Sequence, residues 1–331
     1  MIIKRLIKSG SATLLTLSFL LGGTFAFAES EEPLSVGVNV WVGWMPWWIV
    51  DEKDMLKKHG ANAELRFFGV QSDSMTALAA GHIDANSLAT NDVLSVNASG
   101  VPTSIINLTN ESAGADMLIT RGVEKFEDLK GKQIGVEIGG VSHFFLAKLL
   151  DENGMSQDDV QLRNMTAANA GSAFLSGSID AVVTWEPHAT KAVEGGGEIL
   201  GSSKDTPNAV VDVLAVRNSV LEDRREDLGK VLAAWFDALE FVETNPEEAF
   251  SIMAEASDVS VEQMKAMWSG VRMYDRDDVV RIMGTPGDPG LYYETVSDMS
   301  EFMIGQELIP KPVAASDVID ASFVRDGMGS N

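Results

Sequence analysis

The pattern Gly-x-Ile-Asp-Ala occurs twice in this chain, as GHIDA from Gly81 and as GSIDA from Gly177, 96 positions apart (177 − 81). Each copy follows a helical run of mostly small residues, ALAA in one case and AFLS in the other. A glycine at the end of a helix supplies the left-handed residue through which the chain leaves it. The Ile and Ala that follow suit a buried strand, and the Asp suits a turn or a cap. Writing the same helix, stop and strand twice predicts two sheets of matching construction. The segments after the repeats, LATND and TWEPH, then stand at the carboxyl ends of parallel strands, where open α/β sheets hold ligands.

The rest of the chain fits that unit. LSVGVNVWV alternates as a strand, and Pro46 opens the helical run PWWIVDEKDMLKKHG, which Gly60 stops. AELRFFG, HIDANSL, TSIINLTN and ADMLIT predict strands, while QSDSMTALAAG and TNDVLSVNASG, the latter capped by Thr90, predict helices. From Leu129 the order restarts through GKQIGVEIG, SHFFLAKLLDENG, DVQLRNM, ANAGSAFLSG, IDAVVTW and EPHATKAVEGG. Such alternation predicts the α/β class with mostly parallel sheets. VVDVLAVR, from Val210, is a further strand, and helical spacing dominates after it. There Leu228, Val231, Leu232, Trp235, Leu239 and Val242 share one face, which assigns Trp235 to the core. Beyond Val318 the pattern is weak.

At the amino end, Lys4, Arg5 and Lys8 precede the apolar run ATLLTLSFLL and the small-residue end Ala26-Phe27-Ala28. Residues 1–28 therefore read as a secretory signal peptide cleaved after Ala28, with a periplasmic destination. The run is shorter than the ~20 residues of a membrane span. The sequence has no cysteine, which excludes disulfides, thiolate metal sites, cysteine nucleophiles and a lipidated cysteine anchor. Net charge is −24, and −24 − 3 = −27 without the signal's three cations, a poor surface for nucleic acid. The remaining 331 − 28 = 303 residues exceed the length at which one core stops growing, so two lobes are expected.

Four of the seven tryptophans, Trp41, Trp44, Trp47 and Trp48, fall within eight residues. Burial in strand and helix absorbs two or three of them, and Trp44, in the loop between Gly43 and Pro46, is the one placed in a cleft, offering a stacking or cation–π face. In EIGGVSHFF a Gly pair precedes a helix start, exposing backbone N–H groups to an anion or a carbonyl, or forming a simple tight turn. Trp185-Glu186-Pro187-His188 joins an aromatic plate, a carboxylate and an imidazole; Glu186 meets a ligand or stabilises the following helix start. The histidines His59, His82, His143 and His188 lack metal-site spacing, although His143 and His188 can approach in space, and no metal or cofactor is expected. Asp116 and Asp212 fall at strand starts where the chain passes between lobes, as cleft acids or exposed hinge residues. No lysine or arginine matches their placement, so a cleft they line is negative and suits an amine, an amidine or a ring N–H. No GxSxG, cysteine nucleophile or paired-carboxylate motif is present, which favours binding over catalysis.

Together VGVNVWVGWMPWWIVDE, AALAAGHIDANSLATND, EDLKGKQIGVEIGGVSHFFLAKLL, AFLSGSIDAVVTWEPH and VVDVLAVR resemble the periplasmic substrate-binding proteins of bacterial ABC importers, in the sulfonate, nitrate and thiamin-pyrimidine-binding family. The resemblance covers roughly residues 34–245. It implies a two-lobed, type II periplasmic-binding-protein fold, each lobe a mostly parallel sheet flanked by helices, that closes over a small molecule and presents it to a permease and its ATPase. It implies residues 29–117 as the first part of lobe one, 118–211 as lobe two and 212–331 as the second, helical part of lobe one, with crossings near 115–120 and 210–217. By position, Trp44, Thr90, Asn91, Gly140, Ser142, Trp185, Glu186 and Asp212 correspond to cleft-lining residues. The ligand expected is a nitrogen-containing or zwitterionic solute, taurine-like or pyrimidine-like, bound by a monomer that touches the membrane complex only transiently. The basic or amide-rich cluster of nitrate binders is missing, as is the cysteine motif of the related pyrimidine-synthesising enzymes. The alternative from another class is an exported enzyme or a ligand-sensing subunit on the same fold.

Overall fold

A computed structural model describes residues 32–326, so the signal-peptide expectation for residues 1–28 lies outside the described residues. The strands are β1 (Leu34–Asn39), β2 (Ala63–Phe68), β3 (Ala85–Ala89), β4 (Thr103–Ser112), β5 (Asp116–Thr120), β6 (Gln133–Val136), β7 (Gln161–Asn164), β8 (Ala181–Trp185), β9 (Glu198–Ser202), β10 (Val211–Arg217) and β11 (Val271–Met273). The main helices are α1 (Pro46–Glu52), α2 (Met55–Lys58), α3 (Gln71–Ala80), α4 (Thr90–Ala98), α5 (Val141–Glu152), α6 (Ala167–Leu175), α7 (His188–Glu194), α8 (Arg225–Thr244), α9 (Pro246–Ala256), α10 (Val261–Trp268), α11 (Arg276–Met283) and α12 (Tyr292–Gly305).

Two sheets carry the fold, in the strand orders β11-β4-β10-β3-β1-β2 and β7-β6-β8-β5-β9. In the first, β1, β2 and β3 are parallel, and β10 runs against both β3 and β4. In the second, β6, β7 and β8 are parallel, and β5 runs against both β8 and β9. The reversed strands have a topological cause. The parallel strands end at the seam between the lobes, whereas β5 and β10 carry the chain into a lobe from that seam and must run away from it. The crossings, from Ser112 to Asp116 and from Ser202 to Val211, are laced together. Ser112 donates its N–H to the Val210 carbonyl at 2.9 Å, and its hydroxyl lies 2.7 Å from that of Ser203.

The duplicated pentapeptide does the same work in both lobes. Gly81 and Gly177 end their helices at φ 77° and 74°. Ile83 and Ile179 pack onto Gly37 and Gly135 of the neighbouring strands, where a Cβ would come within 2.5 and 2.6 Å of the isoleucine Cδ1. The Asp84 carboxylate accepts the Ser35 N–H at 2.9 Å, and Asp180 accepts that of Gln133 at 2.9 Å. Ala85 and Ala181 then start strands that pair in parallel with β1 and β6. Every residue except the variable second one thus has a packing or capping role.

Other expectations shift in detail. The run after Pro46 breaks into α1 and α2 at Asp54, whose φ is 51°. The edge strands β9 and β11 were not anticipated. Thr90 is the first residue of α4 rather than its cap, and its hydroxyl donates instead to the Val211 carbonyl at 2.8 Å and pairs with the Tyr292 hydroxyl. Trp235 is fully buried on α8 and packs on Trp47, with ring centroids 4.8 Å apart.

Candidate functional site

A narrow cavity of ≈ 20 Å³ lies between the two sheets, beside the crossings. Lobe one supplies Asn39 at the end of β1 and Val40 after it, Trp41 and Trp44, Gln71 at the start of α3, and Ala89 at the end of β3. The second sheet supplies Asp116 and Trp185, α5 supplies Val141, and Val210 and Asp212 follow at the return into the first sheet. An outer chamber of ≈ 220 Å³ shares Gln71, Val141 and Trp185 with it and is bounded by Ser72, Met75, Thr76 and the 137–140 loop. These walls are the carboxyl ends of parallel strands and the starts of the two reversed ones, the place that open α/β sheets leave for ligands.

The aromatic wall is built by a tight turn. Residues Val42–Trp44 form a 3-10 turn, and Asn110 donates from Nδ2 to the Gly43 carbonyl at 3.1 Å. A Cβ on Gly43 would meet Asn110 Oδ1 at 2.3 Å, so the turn requires glycine there. Trp41 donates Nε1 to Asn110 Oδ1 at 3.4 Å, whereas the buried Trp44 Nε1 has no partner. Trp185 closes the lobe-two side.

The acids dominate the electrostatics. Asp116 and Asp212 are 2% and 3% exposed, and each has one carboxylate oxygen, Oδ2, without a hydrogen-bond partner. Burial pushes the Asp116 carboxyl up to about 7, with the Glu186 carboxylate adding to the rise and a bond from Ser112 opposing it. Burial and then the Asp116 charge hold Asp212 well above the usual range, with the Trp41 and Asn110 side chains acting in the opposite sense. Behind them Asp92 is likewise pushed by burial to about 7, with Glu137 raising it further, while its carboxylate accepts from Gln71 and Asn91. Among the described residues no lysine or arginine lines either chamber.

Of the residues singled out in sequence, Trp44, Asp116, Trp185 and Asp212 line the inner cavity and Gly140 the outer chamber. Thr90 and Asn91 are buried behind the wall; Asn91 donates from Nδ2 to Asp92 at 2.9 Å. Ser142 lies in the first turn of α5, buried, with its hydroxyl unpartnered. Glu186 turns away from the cavity: its two carboxylate oxygens accept from the backbone N–H and the hydroxyl of Thr190, each at 2.9 Å, at the start of α7. Burial is the main cause that raises its carboxyl. His143 pairs through Nε2 with Gln157, and burial lowers it. Sequence reasoning missed Asn39, Trp41 and Gln71. Trp41 carried a signal in the tryptophan cluster, from which only Trp44 is placed in a cleft by sequence.

A putative binding protein of Brucella abortus is 30% identical over 211 residues, 62% of this chain and just under two thirds (66%) of that protein's length. A putative aliphatic sulfonates-binding protein of Bacillus subtilis is 24% identical, with 97% of each chain covered. Among solved structures, the alkanesulfonate-binding protein of Xanthomonas axonopodis pv. citri bound to MOPS superposes with a TM-score of 0.76 over 88% of this chain and 98% of its own, at 16% identity, and so shares the fold. Residues 28–257, more than half of the chain, match the NMT1-like family, and the protein belongs to that family.

Proposed function

We propose that this protein is the substrate-binding component of a bacterial ABC importer, exported to the periplasm after cleavage behind Ala28, with residues 29–117 and 212–331 as one lobe and 118–211 as the other. It captures a small nitrogen-containing or zwitterionic organic solute between the lobes and delivers it, as a monomer, to a permease and its ATPase. The observation that carries the reading is the tryptophan-walled cavity built jointly by both lobes at the crossings, with buried carboxylates and no cationic side chain on its walls. The names of the relatives, putative aliphatic sulfonates-binding protein and alkanesulfonate-binding protein, support solute capture as the task.

The walls favour a ligand unlike a bare sulfonate. In the inner cavity an anion would meet Asp116 and Asp212 with no lysine or arginine to offset them. A zwitterion is accommodated differently. Its cationic end sits among the acids and its anionic end reaches the amino end of α5, where Gly140 is the cap residue and no side chain caps the helix. A taurine-like solute meets both demands, and a pyrimidine-like one uses its ring N–H groups and stacks on Trp44 and Trp185.

A panel of taurine, alkylsulfonates, nitrate, aminopyrimidines and amines, added to ligand-stripped protein, tests this by thermal shift. A ligand at ~100 times its Kd stabilises the folded protein by ~2.7 kcal/mol. The reading predicts a rise with amine-bearing or heterocyclic compounds. A rise confined to nitrate and plain alkylsulfonates contradicts it.

A further inference from the structure

Asp116 and Asp212 occupy matching places in the two sheets. Asp116, the first residue of β5, lies opposite Trp185, the last of β8; Asp212, the second residue of β10, lies opposite Ala89, the last of β3. β3 and β8 are the strands that the duplicated pentapeptide starts, and their ends are 96 positions apart (185 − 89). The two sheets therefore bring one acid each to a single cavity. Each is more than nine-tenths buried and keeps an unpartnered oxygen, an arrangement that costs stability unless something positive arrives.

On these grounds, and resting on the reading of the cleft as a solute site, we propose that Asp116 and Asp212 together form the seat for one protonated nitrogen group. An ammonium, amidinium or guanidinium head would be selected over neutral and anionic solutes of the same shape.

The surrounding charges support one cation rather than none. Glu186, at the end of β8, adds negative potential at Asp116, and Asp92, on α4, adds it at Asp212. Glu137, in the loop before α5, does so at Asp92, and Tyr292, on α12, is neutral. The nearby cations are engaged elsewhere or stand outside: Arg272 pairs with Glu111 and Asp278, and Lys204 lies over Gly114 in the first crossing. Without a ligand the pair holds a proton into the neutral range, and a cation displaces it. Affinity for the cation therefore falls as the medium becomes acidic.

Guanidinium, urea and nitrate are planar, three-armed and nearly isosteric, and they differ in charge. Calorimetric titration of the ligand-stripped protein with each, and with taurine, tests the seat. At about pH 8 guanidinium binds at least about thirtyfold more tightly than urea or nitrate. Asp116→Asn and Asp212→Asn each weaken guanidinium at least about tenfold, and so does a change to about pH 5 in the wild type. Thermal unfolding verifies that the isosteric variants remain folded. Urea or nitrate binding as well as guanidinium overturns the seat, as does undiminished guanidinium binding by both variants. Taurine held equally by wild type and variants, with guanidinium silent, overturns the seat and leaves solute capture standing. Silence of every compound, taurine included, overturns both.

Discussion

Asp212 shares a cavity wall with Asp116, and after burial itself the Asp116 charge is the largest cause that raises the Asp212 carboxyl. Because Asp92 and Asp116 are both pushed from 3.8 to about 7, the folded protein binds protons that the unfolded chain releases between those values. Their contribution is least unfavourable in acid and becomes more unfavourable as pH rises through the neutral range. Asp116→Asn and Asp212→Asn therefore raise the stability of ligand-free protein at about pH 8 and flatten its fall between about pH 5 and pH 8. Urea unfolding at each pH measures this; variants less stable than wild type at about pH 8 contradict it.

The tryptophans divide by role. Trp185→Ala removes an aromatic wall of the cavity and weakens ligand binding by about 2 kcal/mol, roughly thirtyfold, while the protein stays folded. Trp235→Ala, which empties a fully buried site beside Trp47, lowers stability by about 3–5 kcal/mol. Paired titration and unfolding experiments distinguish the two. A Trp185→Ala protein that binds like wild type removes the aromatic wall from the account.

Glu186 is held at the start of α7 by Thr190. With both oxygens held by Thr190, Glu186→Ala lowers stability by about 1 kcal/mol, and ligand affinity changes less than about threefold. A loss of affinity comparable to that of Asp212→Asn shows instead that Glu186 reaches the ligand.

The repeat predicts matched costs. Asp84→Ala and Asp180→Ala each leave a strand N–H, that of Ser35 or of Gln133, without its carboxylate, and each destabilises by about 1–3 kcal/mol. Unequal costs, with one variant silent, would break the equivalence of the two copies.

Local grammar accounts for how far the sequence could be read. Glycine stops, prolines at helix starts and the Ile-Asp-Ala strands are decided by neighbours in sequence, and they predicted the α/β order and the restart at Leu129. Strands β9 and β11 escaped because EILGS is half-exposed and VRM is three residues long, and each depends on pairing with one existing edge. In the cleft, Trp44, Trp185 and Asp212 were legible from a tryptophan cluster and from strand ends. Asn39 and Gln71 were not, because they reach the cavity only when the strands of lobe one are assembled. The bond that Thr190 donates to Glu186, four residues before it, is local, and the helix-start reading of Glu186 agrees with its sense.

The central claim is that both lobes share one small nitrogen-bearing solute. Native mass spectrometry of the exported protein, purified without stripping, tests it most directly, followed by release and identification of whatever is bound. The account predicts one small molecule per chain, carrying a protonatable or N–H-bearing nitrogen and lost from Asp212→Asn. A bound nitrate or plain alkylsulfonate, retained by that variant, would contradict it.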